Sequence, residues 1–229
     1  MHVLRVMPLG KTARHLELSY FSKEPFQEGS IVKIPLRAKD AFGLVTGHED
    51  MSDMKQALRK GPFALKKIKT TRAAAPFSRE FLRAAFETAA GCATSAGAVL
   101  DALIPAGLLK SADKLPLPSL TRDEDHFEVL SLAAPKEERV SEYRRLARET
   151  LARGSSMLLL TPTIFEAEVF AQDLSRGISD RTYVFHGSLS QKEIVARFKN
   201  AASNPQGVLV IGTPSALCIP RTFGTIVLE

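Results

Sequence analysis

Residues 157–162 read Met-Leu-Leu-Leu-Thr-Pro, and the pattern around this stretch decides the fold of the second half of the chain. The stretch is a short apolar strand bounded by turn residues, with helical periodicity on both sides. The pattern predicts strands at 157–160, 183–185, 208–211 and 225–228. It predicts helices at about 136–153, at about 165–175, and after the capping box of Ser190 and Glu193. Apolar strands that alternate with helices predict a parallel sheet covered on both faces.

The first half has a different pattern. Short strands punctuated by glycine and proline predict a small β-rich region, with strands at 3–7, 31–36 and 42–46. Helices should follow Ser78 and Ser95 as caps. Residues 111–125 are rich in proline and charge, which is typical of a linker. The predicted fold class is α/β, with a small β-rich N-terminal domain (residues 1–110, helical at its C-terminal part), a linker at 111–125 and an α/β domain at 126–229.

Positive charge is concentrated in the first half. Residues 1–112 hold 17 Lys and Arg against 10 Asp and Glu, a net charge of +7, whereas residues 113–229 hold 14 against 15, a net charge of −1. A basic surface of this size favours a polyanion such as DNA, RNA or anionic lipid. A solvated basic face without a partner is the alternative.

Several classes of protein are disfavoured by composition. No apolar run reaches the roughly 18 residues of a membrane span, and the N-terminus lacks the order of a signal peptide, so we expect a cytoplasmic protein without membrane contact. Cys92 and Cys218 are far apart and outside any CxxC, which argues against a disulfide framework and a zinc site. We expect two buried free thiols.

Three motifs in the second half carry a family resemblance. Residues 212–217 read Gly-Thr-Pro-Ser-Ala-Leu with Pro220 close behind, residues 186–190 read His-Gly-Ser-Leu-Ser, and residues 143–162 join a helix to the strand quoted above. In order and spacing they resemble the first RecA-like domain of the PriA (primosomal protein N′) family of replication-restart helicases of superfamily 2. Pro214 stands where that family has arginine. The resemblance implies that 126–229 is part of a RecA-like domain, truncated within its Walker B motif.

The first half is similar to the 3′-DNA-binding domain of the same family. The stretches that carry this likeness are residues 8–12 (Pro-Leu-Gly-Lys-Thr), 29–35 (Gly-Ser-Ile-Val-Lys-Ile-Pro), 42–45 (Phe-Gly-Leu-Val) and 102–108 (Ala-Leu-Ile-Pro-Ala-Gly-Leu). Arg14 occupies the place of an acidic residue in the family's 3′-end pocket, which puts recognition of a 3′-hydroxyl in doubt.

The family's ATP-binding loop has no counterpart here. Aligned from Tyr143 backwards, Arg139 falls at the lysine position, Val140 falls at the hydroxyl position, and Glu137 and Glu138 fall within the glycine loop. Two like charges at about 4 Å repel by roughly 4 kcal/mol at an effective dielectric near 20. In Walker B, Leu228 replaces the aspartate that holds magnesium. The resemblance implies an ATP-dependent DNA helicase that uses ATP and magnesium, whereas these residues predict no catalytic residue, no nucleotide, no metal and no helicase activity.

DNA-binding residues are predicted on both halves. In the first, we expect basic side chains to contact phosphates; in the second, the resemblance places strand-end groups on the face that tracks single-stranded DNA. The alternative is that the strand-end groups serve only the fold. His15 and His186 are expected at the surface or at caps. The predicted DNA-binding residues are Lys11, Arg14, Lys33, Arg37, Lys39, Lys66, Lys67, Lys69, Arg72, Thr161, Ser188, Gly212 and Thr213.

The leading hypothesis is a DNA-binding replication-restart protein without a motor, with roles in DNA replication, repair and recombination. Its expected partners are single-stranded or forked DNA and other primosome proteins. The first alternative is the N-terminal portion of an ATP-dependent 3′–5′ DNA helicase. The second is a module that docks a primosome protein through the near-neutral second half.

Overall fold

The computed structural model describes residues 2–10, 17–37, 39–49, 66–70, 73–118 and 128–229. The chain divides into two compact units, Met1–Leu117 and Pro118–Glu229. Each unit is described below by itself.

The first unit contains a five-stranded mixed sheet in the order β3-β4-β1-β2-β5. All neighbouring strands are antiparallel except β2 and β5, which are parallel. The strands are β1 (His2–Pro8), β2 (Leu18–Ser22), β3 (Ile31–Leu36), β4 (Lys39–Glu49) and β5 (Lys66–Lys67). The sequence pattern predicted β1, β3 and the centre of β4, and it missed β2 and β5.

The sheet curls until the chain after β5 returns to β3. The backbone N–H of Lys69 donates to the carbonyl of Lys33 at 3.0 Å, and the N–H of Ile31 donates to the carbonyl of Ala74 at 3.1 Å. These bonds satisfy backbone groups on the outer side of β3, which would otherwise be a sheet edge. The interior is filled by Leu4, Val6, Tyr20, Phe26, Val32, Ile34, Val45 and Ile68.

Three helices follow the sheet: α1 (Arg79–Gly91), α2 (Ala96–Leu103) and α3 (Ala106–Lys110). The predicted caps are confirmed, since the side chains of Ser78 and Ser95 accept from the N–H groups of Phe81 and Ala98. A 3₁₀ turn at Ala112–Lys114 then leads to the buried Leu115. The first unit therefore includes residues that the composition assigned to the start of the linker.

The second unit is built on an all-parallel sheet in the order β7-β8-β6-β9, which confirms the predicted α/β class. Its strands are β6 (Met157–Leu160), β7 (Thr182–Phe185), β8 (Leu209–Gly212) and β9 (Thr225–Leu228). Its helices are α4 (Lys136–Ala152), α5 (Ile164–Leu174) and α6 (Gln191–Ser203), the last with the predicted capping box of Ser190 and Glu193.

The core of this unit lies between the sheet and helices α4 and α5. It contains Tyr143, Ala147, Leu151, Met157, Leu159, Ala167, Phe170, Leu174, Ile178, Leu209 and Ile211. The prediction that both faces are covered is wrong at β9, where Ile226 is 56% exposed and Leu228 is 75% exposed. Alternate side chains of a strand point to opposite faces, so only the face of β9 that carries Val227 packs against the core.

One of the two cysteine predictions needs correction. Cys218 is buried as expected, and burial raises the pKa of its thiol. Cys92 is exposed instead, because it caps the C-terminal end of α1.

Within the described ranges, no helix is both long and apolar enough to cross a membrane.

Candidate nucleic-acid interface

The strand-end residues predicted to bind DNA lie along one edge of the parallel sheet. Thr161 follows β6, Gly212 ends β8 and Thr213 follows it. They are brought together by backbone bonds: the N–H of Thr161 donates to the carbonyl of Gly212 at 2.9 Å, and the N–H of Thr213 donates to the carbonyl of Phe185 at 3.3 Å. The carboxyl edge of a parallel sheet is the usual place for a ligand in α/β folds.

These residues differ in accessibility. Thr161 is buried and its hydroxyl donates to the carbonyl of Thr163 at 2.9 Å. A Cβ on Gly212 would lie 2.0 Å from the carbonyl oxygen of Phe185, so glycine is needed there for the approach of two strands. Thr213 is half-buried and its hydroxyl lies 3.0 Å from that of Ser215. Of this group, Ser188 and Thr213 offer side chains to a ligand.

His186 anchors the loop that presents Ser188. The imidazole Nδ1 lies 2.9 Å from the hydroxyl oxygen of Ser188, and Nε2 lies 3.9 Å from the carboxylate of Glu168. The ring is only 5% exposed, so the expectation of a surface or capping histidine is wrong. Burial lowers the pKa of His186, against an opposing effect of Glu168. A neutral imidazole therefore fixes the position of Ser188.

In the first unit, three predicted basic residues surround the turn between β3 and β4. Arg37 adopts a left-handed backbone conformation at this turn, with φ of 54°. The ammonium groups of Lys33 and Lys69 lie 3.8 and 2.6 Å from the carboxylate of Asp40. The hydrogen bond from Lys69 is the main reason that the pKa of Asp40 is lowered. The sequence pattern did not indicate that Asp40 pairs with Lys69, because the two residues are 29 positions apart.

The remaining predicted basic residues are either exposed or outside the described ranges. Lys39 is exposed at the start of β4, and Lys66 and Lys67 are exposed on β5. With the carboxylates of the described residues, these three lysines form no ion pair. Lys11, Arg14 and Arg72 lie outside the described residues, as does His15.

The positions aligned with the ATP-binding loop are helical. Helix α4 begins at Lys136, so Glu137 and Glu138 form its exposed first turn rather than a loop around phosphates. Val140 packs against the core cluster of the second unit. Acidic side chains suit a helix N-terminus, where the helix dipole is positive, and they oppose the binding of an anion at the same place.

Arg139 and Glu229 form an ion pair at this end of the sheet. Arg139 Nη2 donates to Glu229 Oε1 at 2.6 Å, and the hydroxyl of Tyr143 donates to Glu229 Oε2 at 2.6 Å. Burial opposes ionisation of Glu229, but these two hydrogen bonds prevail and hold the pKa of its carboxyl below the ordinary value. Burial, together with Glu229, raises the pKa of Tyr143 to about 12.

The described residues contain no cluster of three metal-ligating side chains.

Comparison with known proteins supports the motif analysis. No protein-family model matches the chain. The chain is 28% identical over 226 residues to the replication restart protein PriA of one Helicobacter pylori strain, and 27% identical over 226 residues to that of a second strain. Each alignment covers 93% of this chain and 34% of the relative. The resemblance to PriA is thus confirmed, and the chain spans about a third of the length of these relatives.

Proposed function

We propose that this chain binds single-stranded or forked DNA as a PriA-like replication-restart protein, and that it does so without ATPase or helicase activity. The observation that carries the first part is the alignment with replication restart proteins over 93% of the chain. The excess of positive charge in residues 1–112 agrees with a polyanionic ligand. The activity would take place in the cytoplasm, in DNA replication and repair.

The DNA contact is proposed at two surfaces. The first comprises the exposed Lys39, Lys66 and Lys67, with Lys33 and Lys69 as cations already paired with Asp40. Each phosphate that these lysines neutralise should release counterions and so add to the affinity. The second comprises Ser188 and Thr213, whose hydroxyls and neighbouring backbone groups can hydrogen-bond phosphates.

The absence of a motor is proposed from the aligned ATP-loop positions. An ATP-binding loop needs backbone N–H groups free to cradle phosphates, a cation free to neutralise them, and a hydroxyl for magnesium. Here the loop positions are helical, Arg139 is paired with Glu229, and Val140 has no hydroxyl. The helicase alternative requires all three groups, and these observations argue against it.

Docking of another primosome protein is a second candidate function for the α/β unit. The observation in its favour is the exposed apolar face of β9, formed by Ile226 and Leu228. Exposed apolar side chains next to each other on a strand are a common feature of interaction sites. This candidate and DNA binding by the first unit are compatible in one chain.

The proposed DNA surface can be tested with a charge-matched pair of variants. Lys66→Gln/Lys67→Gln removes two positive charges from β5, and Arg79→Gln/Arg83→Gln removes two from the exposed side of α1. In fluorescence anisotropy with labelled forked DNA, we expect the first variant to bind more weakly and to lose about two units from the slope of log affinity against log salt. Equal binding by both variants would contradict the assignment of this surface.

A further inference from the structure

Glu229 is held in place by three contacts from two elements, strand β6 and helix α4. Its backbone N–H donates to the carbonyl of Leu160 at 3.0 Å, which fixes it beside the end of β6. One carboxylate oxygen accepts from Arg139 and the other accepts from Tyr143, both at 2.6 Å. Only 12% of the Glu229 side chain is exposed. The carboxylate thus has a fixed position with both oxygens engaged.

Both terminal nitrogens of Arg139 also donate hydrogen bonds. Its Nη2 atom donates to Glu229, and its Nη1 atom donates to the carbonyl of Ala134 at 2.9 Å. The pKa of this guanidinium is raised, chiefly by the hydrogen bond to Glu229, and the pKa of the Glu229 carboxyl is lowered, so both groups are charged at neutral pH. A short, charge-assisted hydrogen bond of this kind is stronger than a neutral one.

Tyr143 connects the pair to the core. The ring is 5% exposed and its centroid lies 5.9 Å from that of Phe170, within the main core cluster. Because Arg139 and Tyr143 are four residues apart in α4, they lie on one side of the helix and reach the same carboxylate. The arrangement therefore ties the first turns of α4 to the end of β9.

We propose that Arg139, Tyr143 and Glu229 form a permanent clasp that replaces nucleotide in the α/β unit. The guanidinium supplies the positive charge that the carboxylate needs, so neither an external cation nor bound phosphate is required to hold α4 against the sheet. This inference rests on the nucleotide independence proposed above and deepens it. Its consequence is that the α/β unit stays in one state in the presence or absence of ATP.

The clasp can be tested by a double-mutant cycle in thermal unfolding of the full chain. The variants are Arg139→Met, Glu229→Gln and the two combined, each measured with and without millimolar ATP and magnesium. We expect each single variant to lower the melting temperature by several degrees, because each leaves a partly buried group without its partner. The combined variant should lower the melting temperature by clearly less than the sum of the two single effects, as expected when the two side chains interact directly.

Tyr143→Phe provides a milder variant in case the others fold poorly. It removes one hydrogen bond to Glu229 and keeps the ring in the core, so its melting temperature should fall less than that of Glu229→Gln. When Tyr143→Phe is combined with Glu229→Gln, the melting temperature should fall little further.

Two outcomes would overturn the clasp. One is additivity of the Arg139 and Glu229 substitutions, and the other is a rise in the melting temperature of the unsubstituted chain when ATP and magnesium are added. Binding of forked DNA, measured on the same samples, separates the two proposals. If the two substitutions are coupled but the chain binds no DNA, the clasp is supported and the proposed function is contradicted.

Discussion

Arg139 and Glu229 are 90 positions apart in the sequence, and their side chains meet at 2.6 Å in the structure. The motif resemblance predicts that Arg139 stands at the position of the family's nucleotide-binding lysine and that Glu229 follows Leu228, the position of the Walker B aspartate. Here they neutralise each other, and this pairing gives the account its main expectations about stability and ligand response.

Acid should weaken the clasp in a defined range of pH. The pKa of Glu229 is lowered in the folded chain, so its stabilising contribution is present above the ordinary value of 4.5 and is lost as the pH falls through the folded value. We predict that the unsubstituted chain loses more stability than Glu229→Gln as the pH falls below 4.5, as measured by urea unfolding. Asp40 and Glu193 also have lowered pKa values, but they are unchanged in both proteins. Parallel pH profiles would show that Glu229 is not held by Arg139 and Tyr143.

Arg221 should be important for the stability of the second unit. Its guanidinium donates to the hydroxyl of Ser156 at 2.6 Å, to the carbonyls of Ala201 and Asn204 at 2.7 and 2.8 Å, and to the carbonyl of Gln206. These bonds fasten the C-terminal end of α6 to the start of β6. We predict that Arg221→Ala lowers the free energy of unfolding by about 2–3 kcal/mol, since several acceptors lose their donor.

Arg181→Ala is the matched control for this substitution, because it removes an arginine from a 3₁₀ turn of the same unit that has no comparable network with the described residues. Chemical denaturation of both variants checks the prediction. An equally small effect of the two substitutions would show that the Arg221 network contributes little.

A close approach between α2 and β1 explains a glycine in the first unit. A Cβ on Gly97 would lie 2.3 Å from the carbonyl oxygen of Pro8, whereas a Cβ on Gly91 would meet no atom within 4 Å. We predict that Gly97→Ala destabilises the chain by about 1–3 kcal/mol through displacement of α2. Gly91→Ala should be neutral or slightly stabilising, since alanine favours a helix. Thermal unfolding of the two variants compares the same chemical change at both sites, and a neutral Gly97→Ala would contradict the tight contact.

The parallel sheet could be predicted from the sequence because its strands are short apolar runs separated by complete helices. Strand β6, residues 157–160, and strand β9, residues 225–228, have the predicted bounds. Strands β2 and β5 could not be predicted in the same way. The first mixes serine with apolar residues, and the second is a pair of lysines whose strand conformation depends on pairing with β2.

The candidate site was less predictable than the fold. The motif resemblance singled out Arg139, but it gave no indication that Arg139 would pair with Glu229 or that Tyr143 would join them. The pairing of Asp40 with Lys33 and Lys69 was missed for the same reason. Contacts between residues tens of positions apart depend on the register of strands and the placement of helices, which local patterns do not contain.

The most direct test of the account is fluorescence anisotropy with labelled forked, single-stranded and duplex DNA across a salt series, with and without ATP and magnesium. We expect binding that weakens steeply with salt, favours forked or single-stranded DNA over duplex, and is the same with and without nucleotide. No binding at low salt, or an affinity that changes when ATP is added, would contradict it.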